Sequence, residues 1–437
     1  MVVDMVYKGK FVFGPEVVQG TLVINDGKIV EVHGPSYKVE SDILLDYSMQ
    51  PEIVALPGII DMHVHFRGFN LSYREDEYTG SRGAAKGGVT TIVEMPNTNP
   101  KMDNIKTVLR KIKEYEEKSF VDYAVYAAVP NSSEKLKGLL ENYSHILGFK
   151  IFPSDYSNPY LKSVLKEAHE KDLLVVLHAE DPELIKEVNS PGKRWKTRTI
   201  EAAINAIRNI YELASPDFPR IHLAHASSLE EAIEAKRLGY TVETIPHYFL
   251  LTSEIERERG AFAKVNPPLR PYSIAKALLE AVSKGIVDNI ASDHAPYSIE
   301  EKSAPFIEAP SGVPGVEITL PIILTMANWG LLTIPQVAKL TSTNPASILK
   351  LERIGRIAPH YFANVTIVNI KTEGIITAEE FECKSKYSPF DGFKYKGKPI
   401  LTILHGDVIY DGEHFIKPSY TLNVAELRRR SDDRGHN

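Results

Sequence analysis

Cysteine is nearly absent: one residue, Cys383, stands in 437. A single thiol excludes an intrachain disulfide framework and suits a reducing compartment. Positive charge is not in excess either. With 51 Lys and Arg against 57 Asp and Glu the net charge is -6, which tells against a nucleic-acid surface, since such surfaces are usually basic. The one basic cluster, Arg428, Arg429 and Arg430, leads into "SDDRGHN" and reads as a frayed polar tail. No apolar run reaches the roughly 18–20 residues that span a bilayer. The N-terminus lacks the basic, apolar and small-residue order of a signal peptide. The expectation is a cytoplasmic protein with no membrane and no nucleic-acid partner. What is present is ordinary for a globular chain, 43% hydrophobic and 25% charged residues. The length suits one large α/β barrel with an appendage, or two to three conventional domains.

The two ends share a texture that the middle lacks. Residues 1–55 hold "MVYKGKFVF", "GTLVINDGKIVEV" and "ILLDYS", rich in Val, Ile and Tyr, with a turn signal at Asn25, Asp26 and Gly27. Within 363–415, "ANVTIVNI" and "GFKYKGKPILTILHGDVIYDG" read the same way. Both ends together predict one small composite β-sandwich domain, 1–55 with 360–437, flanking a central domain over 56–359.

The central domain alternates. Apolar, β-branched runs occur at "GIIDMHVH", "TTIVEMPN", "VDYAVYAAV", "ILGFKIF", "LLVVLHAE", "RIHLAHAS", "YTVETIPHY" and "VDNIASDHA". Helix-like stretches separate most of them, at 103–118, 134–143, 158–172, 200–214, 228–238 and 273–285. Eight strands alternating with helices is the pattern of a (β/α)8 TIM-like barrel, an α/β fold. His63, His65, Lys150, His178, His225, His247 and Asp293 all fall at the C-terminal ends of these runs, and that is the face where such barrels build active sites. Buried there without partners, each would cost about 1–3 kcal/mol. A long loop follows the eighth strand, "PYSIEEKSAPFIEAPSGVPG" over 296–315, and loops of this kind in compact domains are usually functional. Residues 316–350 predict two further helices, with "TSTNPASIL" capping and starting the second.

His63 and His65 are two apart on a strand, so their imidazoles share a face. Four imidazoles and a carboxylate, His63, His65, His178, His225 and Asp293, suit zinc or a similar divalent ion. Beside positive metal charge Lys150 would lose its proton and could add carbon dioxide, and the resulting carbamate could bridge two metals. His63, His65 and Asp293 would then hold one ion, and His178 and His225 the other. Water between two cations becomes hydroxide near neutral pH, a nucleophile for hydrolysis, with Asp293 taking and returning its proton. On spacing alone, Lys150 reads more simply as a lysine snorkelling from a strand end.

Eight stretches carry a family resemblance: "DMHVHFR", "GGVTTIVEMPNTNP", "GFKIF", "HAE", "HLAHAS", "ETIPHY", "NPPLR" and "SDHAPY". In this order they resemble the cyclic amidohydrolases of the amidohydrolase superfamily, and among them the long, bacterial and archaeal dihydroorotases. The resemblance covers nearly the whole chain. It implies reversible cyclisation of N-carbamoyl-L-aspartate to L-dihydroorotate in pyrimidine synthesis, with two zinc ions and a carbamate on Lys150. It places Arg67 on the substrate carboxylate and makes Asn97 and Asn266 the other polar substrate contacts. "APSGVPGVE", 309–317, resembles the substrate loop of this group. A homodimer is implied, and association with another pyrimidine-pathway enzyme stays open.

Two stretches depart from the family pattern. After Arg67 the chain reads "GFNLSYRED", where relatives commonly have Glu-Pro-Gly, and Tyr297 stands where dihydroorotases usually have histidine. That histidine touches the substrate carboxylate, so the expectation for Tyr297 is a hydroxyl donor to the same group. The alternatives are a hydantoinase, dihydropyrimidinase or allantoinase, and a non-catalytic scaffold. Arg67 separates the first set, because hydantoin and allantoin rings lack the carboxylate that a guanidinium binds. A surface ion pair of Arg67 with Glu75 or Asp76 is the plain structural reading. The intact set of metal-ligand residues tells against the scaffold.

Overall fold

The computed structural model describes residues 2–428. Five strands open the chain: β1 (Val3–Phe13), β2 (Glu16–Asn25), β3 (Lys28–His33), β4 (Ser41–Asp46) and β5 (Ile53–Pro57). Eight follow: β6 (Ile59–Val64), β7 (Val89–Glu94), β8 (Asp122–Ala128), β9 (Gly148–Ile151), β10 (Leu174–Leu177), β11 (Arg220–Leu223), β12 (Thr241–Thr244) and β13 (Asn289–Ile290). Three more, β14 (Val365–Ile375), β15 (Lys394–Leu404) and β16 (Asp407–Tyr410), return to the first group.

Strands β6 to β13 pair in sequence order, each ladder parallel. A parallel bridge between Val64 and His294 joins the ends, and the His65 N–H donates to the His294 carbonyl at 2.8 Å. This is the expected (β/α)8 barrel, one strand for each of the eight apolar runs. Its packing is tight enough to constrain single residues. At Gly148 an added Cβ would strike the Leu174 carbonyl of the next strand, so only glycine fits two residues before Lys150. Beneath the mouth, Leu174 and Val176 lie on the face of β10 that carries His178. They pack with Tyr126 and Met62, and with Leu349, Leu351 and Val424, which close that end.

The second sheet runs β16-β15-β14-β5-β1-β2-β3, with β4 beside β1. Chain ends meet where β5 pairs antiparallel with β14, Val54 opposite Val368. β1 pairs with β4 over Val3–Lys8 and with β5 at Lys10 and Phe11, so this strand changes partner along its length. Met5, Tyr7, Leu22, Ile53, Val365 and Ile403 fill the core of this sheet. The signalled turn is present: Asp26 and Gly27 have φ of 50 and 70, the left-handed pair that a two-residue hairpin needs.

Three details differ from the expectations. "TSTNPASIL" does not start a helix. The helical run begins at Ile334, capped by Thr333 in a capping box with Gln336, and continues through a π turn at Lys339–Thr343 into Asn344–Leu349. Pro345 cannot donate into an α-helical ladder, and the wider π turn just upstream accommodates that loss. Next, Arg428 is buried, bridged to Leu351 and set over the Tyr143 ring. Arg429, Arg430 and "SDDRGHN" lie outside the described residues. Finally, the segment between β14 and β15 does not stay with its sheet. The Cys383 N–H donates to Glu317 and the Lys384 N–H to Glu75, which carries 376–393 to the mouth of the barrel. Among the described residues no helix is long and apolar enough to cross a membrane.

Candidate active site

The C-terminal ends of the barrel strands converge on Asp293. Its Oδ1 lies 3.2 Å from His63 Nε2 and 3.1 Å from His65 Nε2. His63, His225 and Asp293 form one group whose ligand atoms all fall within 4.8 Å of one another. The His225 ring is 5.2 Å from that of His63 and 4.6 Å from that of His178. Lys150 is fully buried, and its charge acts on both His178 and His225. Five of the six side chains expected to hold metal therefore meet, and the sixth, Lys150, is buried on β9, the strand paired with the one that leads to His178.

Backbone strain accompanies this convergence. Arg67, His225 and Asp293 have φ of 60, 39 and 44, left-handed values that cost non-glycine residues about 1–3 kcal/mol. Such residues persist only where surrounding structure holds them. Here the His225 N–H donates to Glu243, and the Arg67 N–H to Glu94.

Three of the imidazoles are oriented by a partner on the ring's far side. His63 Nδ1–H donates to Glu243 Oε1 at 2.7 Å, His65 Nδ1–H to Asn97 Oδ1 at 2.6 Å, and His178 Nε2–H to Glu180 Oε2 at 2.7 Å. Glu180 is in turn gripped by Arg198, whose Nε donates to its Oε1 at 2.9 Å. Burial disfavours the charged form of three of these rings: His65 is pushed down to about 4 despite Asp293, His178 is lowered, and His225 falls well below its ordinary value. Burial by itself would raise the Asp293 carboxyl. The imidazoles of His63, His65 and His225 outweigh it and hold Asp293 well below the usual carboxylate range. Burial also lowers the Lys150 ammonium to about 8. The cluster presents imidazole nitrogens, one carboxylate and an amine that gives up its proton readily.

The expected substrate contacts are arranged less simply. Arg67 is buried, with its guanidinium 4.9 Å from the Tyr297 ring centroid and its Nε unpartnered. It makes no ion pair with Glu75 or Asp76, which bind Thr79 and Lys384 instead. Asn97 spends its carbonyl oxygen on His65. Asn266 accepts from Arg194 and, at 3.1 Å, from Ser311 in the long loop. No hydrogen bond links Asn266 to the imidazole cluster among the described residues.

The amidohydrolase family model matches residues 54–409, most of the chain. This chain belongs to the amidohydrolase family. Dihydroorotase of Methanosphaera stadtmanae is 35% identical over 408 residues, covering 89% of this amidohydrolase and 92% of the relative. Dihydroorotase of Pyrococcus abyssi is 32% identical, with 97% and 99% covered. The solved L-hydantoinase of Arthrobacter aurescens superposes with a TM-score of 0.88 at 23% identity, covering 96% and 99% of the two chains. That likeness speaks for the fold alone. A hydrolytic enzyme with a barrel and an accessory sheet follows from these matches.

Amidohydrolases generally use a divalent metal, and the residues here fit one. Lys150 Nζ, His225 Nδ1 and both nitrogens of His247 are buried without hydrogen-bond partners. Orphaned groups of this kind are costly in a protein interior, and a cation would take up the lone pairs of neutral nitrogens beside Asp293. A second group, Glu75, His294 and Cys383, also lies close together. It does not suit a metal. His294 Nδ1 accepts the N–H groups of Gly315 and Val316 at 3.1 and 3.4 Å, so Nε2 carries the proton and has no lone pair to give.

Several members of this site carry only a faint signal in the sequence. Glu243 and Glu180 lie inside "ETIPHY" and "HAE", where a carboxylate at the end of an apolar run is the sole hint. His247, expected at a strand end, lies in a short helix, Pro246–Leu250, with Phe390 set edge-on 5.3 Å from its ring. Nothing in the sequence announces that 376–393 reaches this mouth.

Proposed function

We propose that this amidohydrolase is a dihydroorotase, interconverting N-carbamoyl-L-aspartate and L-dihydroorotate in pyrimidine synthesis. One observation supports the reading: Arg67 is a buried guanidinium close enough to the imidazole cluster to act on His65, with no carboxylate partner among the described residues. A buried, unpaired cation is expensive, and a substrate carboxylate would complete it by charge-assisted hydrogen bonds.

His63, His65 and Asp293 would hold one divalent ion and His178 and His225 a second, with zinc suiting this donor set. Lys150, its proton weakly held, would add carbon dioxide to its amine with loss of a proton, and the anionic carbamate would supply further oxygen ligands to the ions. Bound there, such ions supply polarisation of an amide carbonyl and acidification of water. The protein's own residues do the rest. Asp293, whose Oδ1 lies beside the Nε2 atoms of His63 and His65, would use Oδ2 to take the water proton and deliver it to the departing ring nitrogen. Arg67 anchors the substrate carboxylate, which orients the ring amide toward Asp293. The Asn97 amide N–H groups remain for the ring, because its oxygen is committed to His65. Asn266, fixed by Arg194 and Ser311, offers its own N–H groups from beside the long loop.

Turnover of dihydroorotate, hydantoin and allantoin measured side by side tests the proposal. Dihydroorotate should be preferred by a wide margin. Preference for either uncharged ring would replace the dihydroorotase assignment with the hydantoinase or allantoinase alternative.

A further inference from the structure

The stretch "GFNLSYRED" and Tyr297 meet in the folded protein. Arg74, from "GFNLSYRED", has its guanidinium 4.7 Å from the Tyr297 ring centroid, and Arg67 lies 4.9 Å from the same ring. We propose that Tyr297 is a positioning residue that acts through the face of its ring, holding the Arg67 guanidinium in place for the substrate carboxylate, with Arg74 and Glu301 bracing the ring. The proposal rests on the dihydroorotase reading and deepens it.

An aromatic face attracts guanidinium by its quadrupole and by stacking on the planar group. Two guanidiniums against one ring would repel each other unless one were neutralised. Glu301 does this for Arg74, whose Nε donates to Oε1 and Oε2 at 2.9 and 3.0 Å. Arg67 has no such partner among the described residues, so its charge stays available to a substrate. Glu301 itself is fixed close by: the Ser298 N–H donates to its Oε2 at 3.1 Å, and its own N–H donates to Ser298 Oγ at 3.2 Å. The ring is held from its backbone as well. The Tyr297 N–H donates to Tyr387 Oη at 3.3 Å, and the Tyr297 carbonyl accepts from Ser385 Oγ at 2.8 Å. Both of these partners belong to the segment that leaves the second sheet for the barrel mouth. By contrast, the Tyr297 hydroxyl makes no hydrogen bond among the described residues.

The test compares Tyr297→Leu, Tyr297→Phe and Arg67→Met on dihydroorotate and on an uncharged cyclic amide, with metal content and thermal midpoint measured for each. Tyr297→Leu should raise KM for dihydroorotate about 10-fold, from loss of the cation–π contact, with kcat moving far less. On the uncharged ring its effect should be much smaller. Tyr297→Phe, which keeps the ring face, should recover most of the affinity that leucine loses. If phenylalanine is as poor as leucine, the hydroxyl matters and the ring-face proposal is wrong; wild-type behaviour of the leucine variant is equally fatal to it. Failure of the underlying reading looks different: Arg67→Met would then harm both substrates alike.

Discussion

Glu243 offers the most direct test of how this site is held together. Its Oε1 accepts from His63 Nδ1–H at 2.7 Å, both side chains being buried, and the same oxygen takes the His225 N–H at 3.1 Å. One carboxylate thus orients residues assigned to both metal positions. Glu243→Gln keeps the shape and an acceptor oxygen but removes the charge. A hydrogen bond to a charged group contributes about 1.5–3 kcal/mol and a neutral one about 0.5–1.5. The substitution should therefore cost about 1–2 kcal/mol, which is about 5- to 30-fold in metal affinity at 1.36 kcal/mol per decade. That overlaps the roughly 10- to 100-fold usual when a partner behind a metal-ligating histidine is changed. Equilibrium dialysis against graded chelator, with metal counted in the retained protein, reads the affinity directly. Circular dichroism controls for folding. Wild-type metal retention in a folded Glu243→Gln protein would refute the orienting role of this carboxylate.

Lys150→Ala should lower metal content from about two ions per chain and abolish most turnover, with partial rescue by bicarbonate plus a short carboxylate; full metal content and activity would exclude the carbamate. Arg67→Met should weaken dihydroorotate binding by about 1.5–3 kcal/mol, roughly 10- to 150-fold, in steady-state kinetics, while uncharged ring amides lose much less. Lys302 gives a pH prediction. Burial, reinforced by Lys264 and Arg194, holds its ammonium down to about 7, while its Nζ donates to the Pro310 and Gly312 carbonyls at 2.9 Å each. Between about 7 and the unfolded value near 10.4 the unfolded chain binds more protons, so stability rises with pH across that window and the penalty is constant below it. Urea midpoints of Lys302→Met should lose that rise; curves parallel to wild type would show that Lys302 does not titrate there.

Much of this protein is legible in one dimension. Eight apolar runs separated by helix-like stretches encode the barrel because strand periodicity and burial are local properties that spacing records. The same locality makes His63 and His65 readable as a pair, and Asp26-Gly27 as a turn. The helix start at Thr333 is not legible in this way, because Pro345 resembles a helix beginning and only the surrounding packing selects a π turn that accommodates it. Glu243 and Glu180 escape notice because their role lies in a contact with a ring from another strand or behind a ligand, which no spacing encodes. Tyr297 is the sharpest case. Residue identity suggests a hydroxyl donor, whereas the fold sets its ring against Arg67 and Arg74, which lie far away along the chain. The sequence by itself determined the barrel, the composite sheet and the inventory of candidate metal ligands, since these follow from local patterning and residue chemistry. Tertiary structure alone decided which carboxylate orients which imidazole, which guanidinium lacks an ion-pair partner among the described residues, and that the segment between β14 and β15 reaches the mouth, because each depends on distances between residues far apart in sequence.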